Sequence, residues 1–406
     1  MKKCFFGAIA VLALASCSNE KVVELSQDQE IKFTVEAGKA TSRAKDGYCN
    51  NKKPADFQVW ANVPVSDEGT AFKPYFSNEL FALQAGNIWA NKADGESRYW
   101  PYGKINFFAV KNATADWTKT GTNYDYKSLV VSDFTVADNA EDQVDFIYAV
   151  ANVASKPTEG VTSINFRHAL SQIEFQAKNE NTKLYVEISG VSVCKINNKG
   201  TFVLPTTSTD ALAGEHQEGG NYADNFTGKK QGEWTLATPS SKTTYSVTTK
   251  NDADNANDVK EVAGDGVVVD LTVTDPSDKE YNSQTLYLLP QTTTAWVPSP
   301  SAPKPAEQDD SYFLVKCKIF NVAGSSYNEE TDVRIWPATN TYADVAIPFA
   351  ANWEQGKRYV YTFVFTDHGN GGFDPDNGKD VLVPIKLTVT VDDFVEGGNT
   401  PVDMVK

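Results

Sequence analysis

The residues that usually do chemistry are scarce in this sequence. There are 3 histidines, 5 cysteines and 2 methionines in 406 residues. His168, His216 and His368 are scattered, and no histidine–cysteine spacing suits zinc. Cations are also under-represented. The 37 Lys and Arg residues face 53 Asp and Glu, leaving a net charge of −16 with no basic block. That balance argues against nucleic acid, whose phosphates need clustered cations, and against an electrostatic membrane patch. No Walker loop, dinucleotide fingerprint or G-x-S-x-G elbow occurs. His168, in "NFRHALSQIEF", therefore has no nucleophile to serve and reads as a polar residue at a strand start. Asp374, Asp376 and Asp380 fail as a calcium loop. Counted from Asp374, Gly378 stands at the fifth position and Ile385 at the twelfth, where an EF-hand needs ligands. A non-enzymatic protein without metal or cofactor is the expectation.

Long helical periodicity is nearly missing too. What is present is period two: Ile31, Phe33, Val35 and Ala37; Ile173, Phe175 and Ala177; Leu184, Val186 and Ile188; Val267, Val269, Leu271 and Val273. The same alternation runs through Phe313, Val315, Cys317 and Ile319, then Tyr359 to Phe365, then Ile385 to Val391. Each run predicts a strand with one face inward. Gly, Asn, Asp and Pro clusters separate the runs as turns require. Antiparallel sheets packed face to face satisfy such a pattern. "NELFALQAG", Asn78 to Gly86, is the one candidate for a short helix. Residues 206–263 form a long polar excursion with some irregular strand, residues 297–310 a Pro-rich loop and residues 367–380 a turn-rich hairpin loop. The 8 tryptophans fall singly in or beside strands, which predicts core packing rather than an exposed platform. A chain of this length defaults to two domains. They are placed at 44–165 and 166–406.

Long apolar runs are absent except at the start. Phe5 to Ala15 follow Lys2 and Lys3 and are too few to span a bilayer, so residues 1–16 read as a secretory signal. The run ends in Leu14-Ala15-Ser16-Cys17, which resembles a bacterial lipobox. Cys17 would then carry the lipid and become the new N-terminus, an acyl anchor on a folded protein. Cys4 would leave with the signal. Cys49, Cys194 and Cys317 would remain, an odd number that makes a poor disulfide framework. Cys194 and Cys317 lie in strand-like runs and read as small buried hydrophobes.

Six phrases carry a resemblance: "RYWPYGKINFFAV" (98–110), "INFRHALSQIEFQAKN" (164–179), "ISGVSVCKINNKGTF" (188–202), "TLYLLPQTTTAW" (285–296), "VAIPFAANWEQGKRYVYTFVF" (345–365) and "LTVTVDDFVEG" (387–397). Together they resemble the fimbrillin-like lipoproteins of Bacteroidetes, subunits of type V pili. The resemblance implies an all-β fold of two tandem transthyretin-like antiparallel β-sandwich domains. It implies a lipidated precursor carried to the cell outer membrane and then displayed as a surface fimbrium that supports adhesion. In stalk-type subunits of the family, a trypsin-like protease cuts after an arginine in the loop behind the first strand. That strand leaves, and the C-terminal segment of another subunit fills the groove head to tail.

Carried onto this sequence, the resemblance makes 17–43 a lipidated pro-segment and Arg43–Ala44 the processed bond, with Lys39 and Lys45 as competing basic sites. Ile31, Phe33, Val35 and Ala37 would plug the groove. Val402 and Met404 alternate as plugs would in the short tail behind Gly397 and Gly398, and they are the candidate donor. The strand at 385–395 is the alternative. Two other roles stay open: an anchor or terminal subunit that keeps its first strand, and a free surface lipoprotein that binds glycan or host protein.

Overall fold

A computed structural model describes residues 25–36, 48, 53–66, 71–91, 97–120, 122–209, 231–238, 242–249, 259–272, 285–299, 301, 304–324, 327–367, 371–381, 383–393 and 400–403. Side chains are described for these except at 25–28, 392, 393 and 400–403. In the first half the strands are β1 (Leu25–Glu30), β2 (Lys32–Glu36), β3 (Asp56–Pro64), β4 (Phe72–Gln84), β5 (Ile88–Asn91), β6 (Tyr99–Pro101), β7 (Ile105–Lys111), β8 (Asp116–Thr120), β9 (Asn123–Thr135), β10 (Ile147–Val153), β11 (Val161–Asn165) and β12 (Arg167–His168). In the second half they are β13 (Ser171–Asn179), β14 (Leu184–Asn197), β15 (Lys199–Val203), β16 (Glu233–Leu236), β17 (Lys242–Thr248), β18 (Lys260–Ala263), β19 (Val268–Asp270), β20 (Leu286–Leu288), β21 (Tyr312–Asn321), β22 (Val333–Trp336), β23 (Ala343–Pro348), β24 (Lys357–Phe365), β25 (Ile385–Asp393) and β26 (Thr400–Asp403). Among the described residues helix is limited to short 3-10 turns, so the all-β expectation holds.

An eight-stranded sheet runs β11-β2-β5-β4-β3-β7-β10-β12. Its first and last strands are separated in sequence by Phe166 alone. Two residues of chain reach about 7 Å, so the sheet must roll until its ends meet. Phe166 sits buried at this seam, its ring 5.0 Å from Phe57. The rolled interior holds Ile31, Phe33, Val35, Phe57, Phe81, Trp89, Trp100 and Phe107. The two-stranded β1–β6 ribbon lies beside it.

The second half is a sandwich. One sheet runs β19-β13-β24-β25-β26, with β20 also on β13; the other runs β17-β14-β21-β22, with β18 on β14 and β23 on β21. Their inner faces interdigitate: Phe313 of the second lies 5.6 Å from Phe175 and 5.5 Å from Phe363 of the first. Most ladders are antiparallel, but β2–β11 and β13–β24 are parallel, a refinement of the antiparallel expectation.

Two readings change in detail. Asn78–Gly86 is not a helix; residues up to Gln84 continue β4. The excursion is more regular than expected, since β17 pairs with β14 from Gly190 to Asn197 and carries the buried Tyr245 and Val247. The halves also interlock. A four-stranded sheet, β16-β15-β9-β8, joins β15 to β9 across the 165/166 boundary. The sandwich core also reaches across the boundary, since Trp60, Phe108, Val110, Phe146 and Tyr148 of the first half pack in one cluster with Ala169 and Leu170. Six tryptophans are buried, and Trp234 and Trp336 pack partly buried against the same core. Cys194 and Cys317 are buried and free, as a small-hydrophobe reading requires. Burial pushes the Cys194 thiol up to about 11 and the Cys317 thiol higher still.

Candidate strand-exchange site

The alternation of Ile31, Phe33 and Val35 places all three on the inward face of β2 and its lead-in, each no more than 1% exposed, while Thr34 faces solvent. Phe33 is the centre of this packing. Its ring lies 5.0 Å from both Phe81 and Phe107 in edge-on contacts and 6.3 Å from Phe57. Edge-to-face rings add to area burial.

Both edges of β2 are occupied. On one side it runs parallel to β11, from Lys32 opposite Val161 to Glu36 opposite Asn165, and the Phe166 N–H closes the ladder on the Glu36 carbonyl at 2.7 Å. On the other side Lys32 and Phe33 pair with Ala90 and Trp89 of β5. The Ile31 N–H donates to the Arg98 carbonyl at 2.7 Å. Gly160, at φ +68, turns the chain into β11, and its carbonyl accepts from both the Lys32 N–H and the Trp100 indole. Glycine is favoured at this φ.

β1 is a looser clip. The Ser97 hydroxyl donates to Glu30 at 2.5 Å, and the Glu30–Lys32 pair at 3.3 Å is about 40% exposed on each side. The Ser97 hydrogen bond holds the Glu30 carboxyl below its usual value despite some desolvation, and Lys32 helps.

The next described residue after Glu36 is Tyr48. Its N–H donates at 2.9 Å to Asp145, a carboxylate with no exposed surface that also meets His168 Nδ1 at 2.9 Å. His168 therefore braces a carboxylate that holds the chain. Ala37, Lys39, Arg43, Ala44, Lys45 and Cys49 lie outside the described residues, as do Cys17 and the two other histidines.

At the other terminus, Ile385, Leu387 and Val389 of β25 are buried, and β25 is flanked by β24 and β26. β26 folds back along the far side of β25, with Val402 opposite Val389, and forms the sheet edge. Met404 lies outside the described residues. The expected acidic loop is a turn: Asp374 accepts from the Asp376 N–H at 2.8 Å and from Asn377 at 2.6 Å.

Sequence reading did not name the groove's walls, Phe57, Phe81, Phe107, Phe166 and Trp100. Nothing local in the sequence says which strand they face.

A family model described as fimbrillin-like matches residues 42–393. The chain belongs to the fimbrillin-like family. Among solved structures, a fimbrial protein from Bacteroides vulgatus matches over 91% of this chain and 100% of its own, at 15% identity and a TM-score of 0.54. That likeness shows a shared fold. Proteins named as candidate cell adhesion proteins, from Bacteroides uniformis and Bacteroides ovatus, match at 12% and 11% identity. They cover 92% and 93% of this fimbrillin-like chain and 100% of their own, with TM-scores of 0.40 and 0.43. No curated protein matches. Among the described residues no helix is long and apolar enough to cross a membrane.

Proposed function

We propose that this fimbrillin-like chain is a structural subunit of a type V surface fimbria, made as a lipoprotein anchored through Cys17 and assembled by strand exchange. A trypsin-like protease cuts Arg43–Ala44, the segment 17–43 departs with β1 and β2, and the slot between β5 and β11 opens. The C-terminal segment of another subunit fills it. Residues 44–165 and 166–406 act as the two units of the mature subunit, at the cell outer membrane and then in the fimbrium.

The placement of β2 carries this reading. A removable plug must fill apolar space, leave two pairing edges behind and connect to accessible chain. β2 and its lead-in Ile31 seal three side chains, β2 pairs on both edges, and Arg43 follows it in sequence. Burying three large side chains is worth roughly 5–9 kcal/mol at about 1.5–3 each. An incoming strand restores that burial and both ladders, which is β-augmentation. The contact is head to tail and does not close, so it propagates. Arg43 is also the basic residue farthest from both fixed points. Lys39 lies three residues from Glu36 and Lys45 three from Tyr48, whereas Arg43 is seven and five away. Edge position favours β26 as the donor, since β25 would have to surrender buried Ile385, Leu387 and Val389.

The test is native trypsin treatment of the chain from Ser18. A new N-terminus at Ala44, with a ladder of polymers on unheated gels, is expected. No cut near Arg43 sinks the maturation step. The completeness of the plugged unit favours a second reading, an anchor or terminal subunit that keeps β2. That subunit would be recovered from cells with an acylated Cys17.

A further inference from the structure

On the outward face of the rolled sheet, opposite the β2 groove, there is an open cleft of about 420 Å³. Two irregularities make it. β4 carries a bulge: Val59 pairs with Glu79 but Ala61 with Phe76, so Ser77 and Asn78 both fall opposite Trp60, and Asn78 adopts φ +55. At the end of β7, Asn112 adopts φ +63 and turns residues 112–115 outward as the second wall. Left-handed backbone is uncommon outside glycine, and bulges gather beside functional sites. Two such residues flanking one cleft mark a shaped feature.

The lining is polar over an apolar floor. Trp60, 3% exposed, is the floor. Asp56 and Lys111 form an ion pair at 2.6 Å on the rim, which neutralises both charges and leaves oriented donors and acceptors. Asn78 and Thr114 add an exposed amide and a hydroxyl. Gln58, between Val110 and Leu80 in the ladders, has a buried Oε1 with no hydrogen-bond partner. Buried acceptors are nearly always paired, so an orphan in a cleft wall calls for a donor from outside.

We propose that this cleft is a binding site for a neutral sugar unit. The missing partner is a hydroxyl donor, whose hydrogen bond the Gln58 amide oxygen would accept once its side chain turns toward the cleft. The rim pair and Asn78 offer the alternating donors and acceptors that vicinal hydroxyls use. The volume falls within the ordinary small-molecule range. A chain of net charge −16 disfavours acidic sugars, which restricts the class to neutral ones. The cleft lies on the face away from Phe33, so occupancy does not compete with strand exchange.

Saturation-transfer NMR on the full chain from Ser18 tests this, using neutral monosaccharides, neutral oligosaccharides, a sialylated oligosaccharide and butylamine as probes. Neutral sugars should bind and the acidic one should not. Gln58→Leu should weaken binding about tenfold or more while leaving the thermal midpoint unchanged or raised, because it removes an unpaired buried acceptor. Lys111→Met should weaken binding without unfolding. Binding of oligosaccharides that no monosaccharide displaces identifies a glycan chain as the ligand; full displacement identifies a single sugar unit. The proposal is overturned if no neutral sugar binds, if both variants bind as the parent does, or if butylamine is the only probe that binds.

Discussion

β2 and β13 fill the same topological slot in the two halves of this chain. Each is an early strand of its half, and each runs parallel to a late strand, β11 in one case and β24 in the other. Both seal a central phenylalanine, Phe33 or Phe175, at 0% exposure. They differ in how they are held. β13 pairs with β24 over eight positions, Gln172 to Asn179, and is covered on its other edge by β20 and β19. Its outward side is also engaged, with Glu174 bonded to Arg358 and Gln172 at 2.8 Å each and Gln176 to Asp270 at 2.6 Å. β2 pairs over five positions on one edge and two on the other, and Thr34 is bare. The same slot therefore holds one strand sealed mainly by its inner face and one bound on every side. A plug meant to leave needs the first kind of attachment.

The largest test of this contrast is removal of β1 and β2. A chain beginning at Ala44, with no donor present, should lose roughly 5–9 kcal/mol of apolar burial, comparable to the whole stability of many domains. Its urea midpoint should fall steeply, and a peptide of residues 29–37 added in trans should restore it. An unchanged midpoint would show that β2 is not part of the core.

Point substitutions should show where the two slots are alike. Phe33→Ala and Phe175→Ala should each cost about 3–5 kcal/mol in urea unfolding, the usual range for a buried phenylalanine. The difference should appear only after native trypsin treatment. Nicked Phe33→Ala should release the N-terminal segment on gel filtration faster than the nicked parent, and Phe175→Ala should not. Equal release from both variants would erase the distinction.

At the far terminus the same logic separates β25 from β26. Leu387→Ala should cost about 2–5 kcal/mol, whereas truncation after Asp393 should cost about 1 kcal/mol, because β26 pairs on one side only. Truncation should nonetheless abolish polymer formation, which identifies the tail as donor. Polymers formed by the truncated chain would point to β25 instead.

Much of this was legible in sequence wherever a strand keeps one face inward for its whole length. β2, β13, β21, β24 and β25 announce themselves through Phe33, Phe175, Phe313, Phe363 and Leu387. β4 did not, and the bulge is why. Phe76 and Phe81 are both buried yet five residues apart, an odd number that breaks period two. Pairing partners were not legible either. Nothing near Val35 says that Ile164, far along the chain, lies beside it in parallel. The cleft was invisible for the same reason, since Gln58, Asn78 and Lys111 come from three strands brought together by register alone.

The smallest expected effect concerns how β1 is fastened. Glu30 is held below its usual value of 4.5, chiefly by the Ser97 hydroxyl. A carboxyl depressed in the folded state stabilises above its unfolded value, and that contribution is lost as pH falls through the folded one. Unfolding measured from pH 6 downward should therefore show a Glu30-dependent loss that begins near pH 4.5 and is absent in Glu30→Gln. Partial exposure and screening limit it to about 0.5 kcal/mol or less. Release of the segment from nicked protein should quicken modestly over the same range. If β1 were a principal lock, Glu30→Gln would match Phe33→Ala in release rate, and the seal would then lie in the clip rather than in the plug.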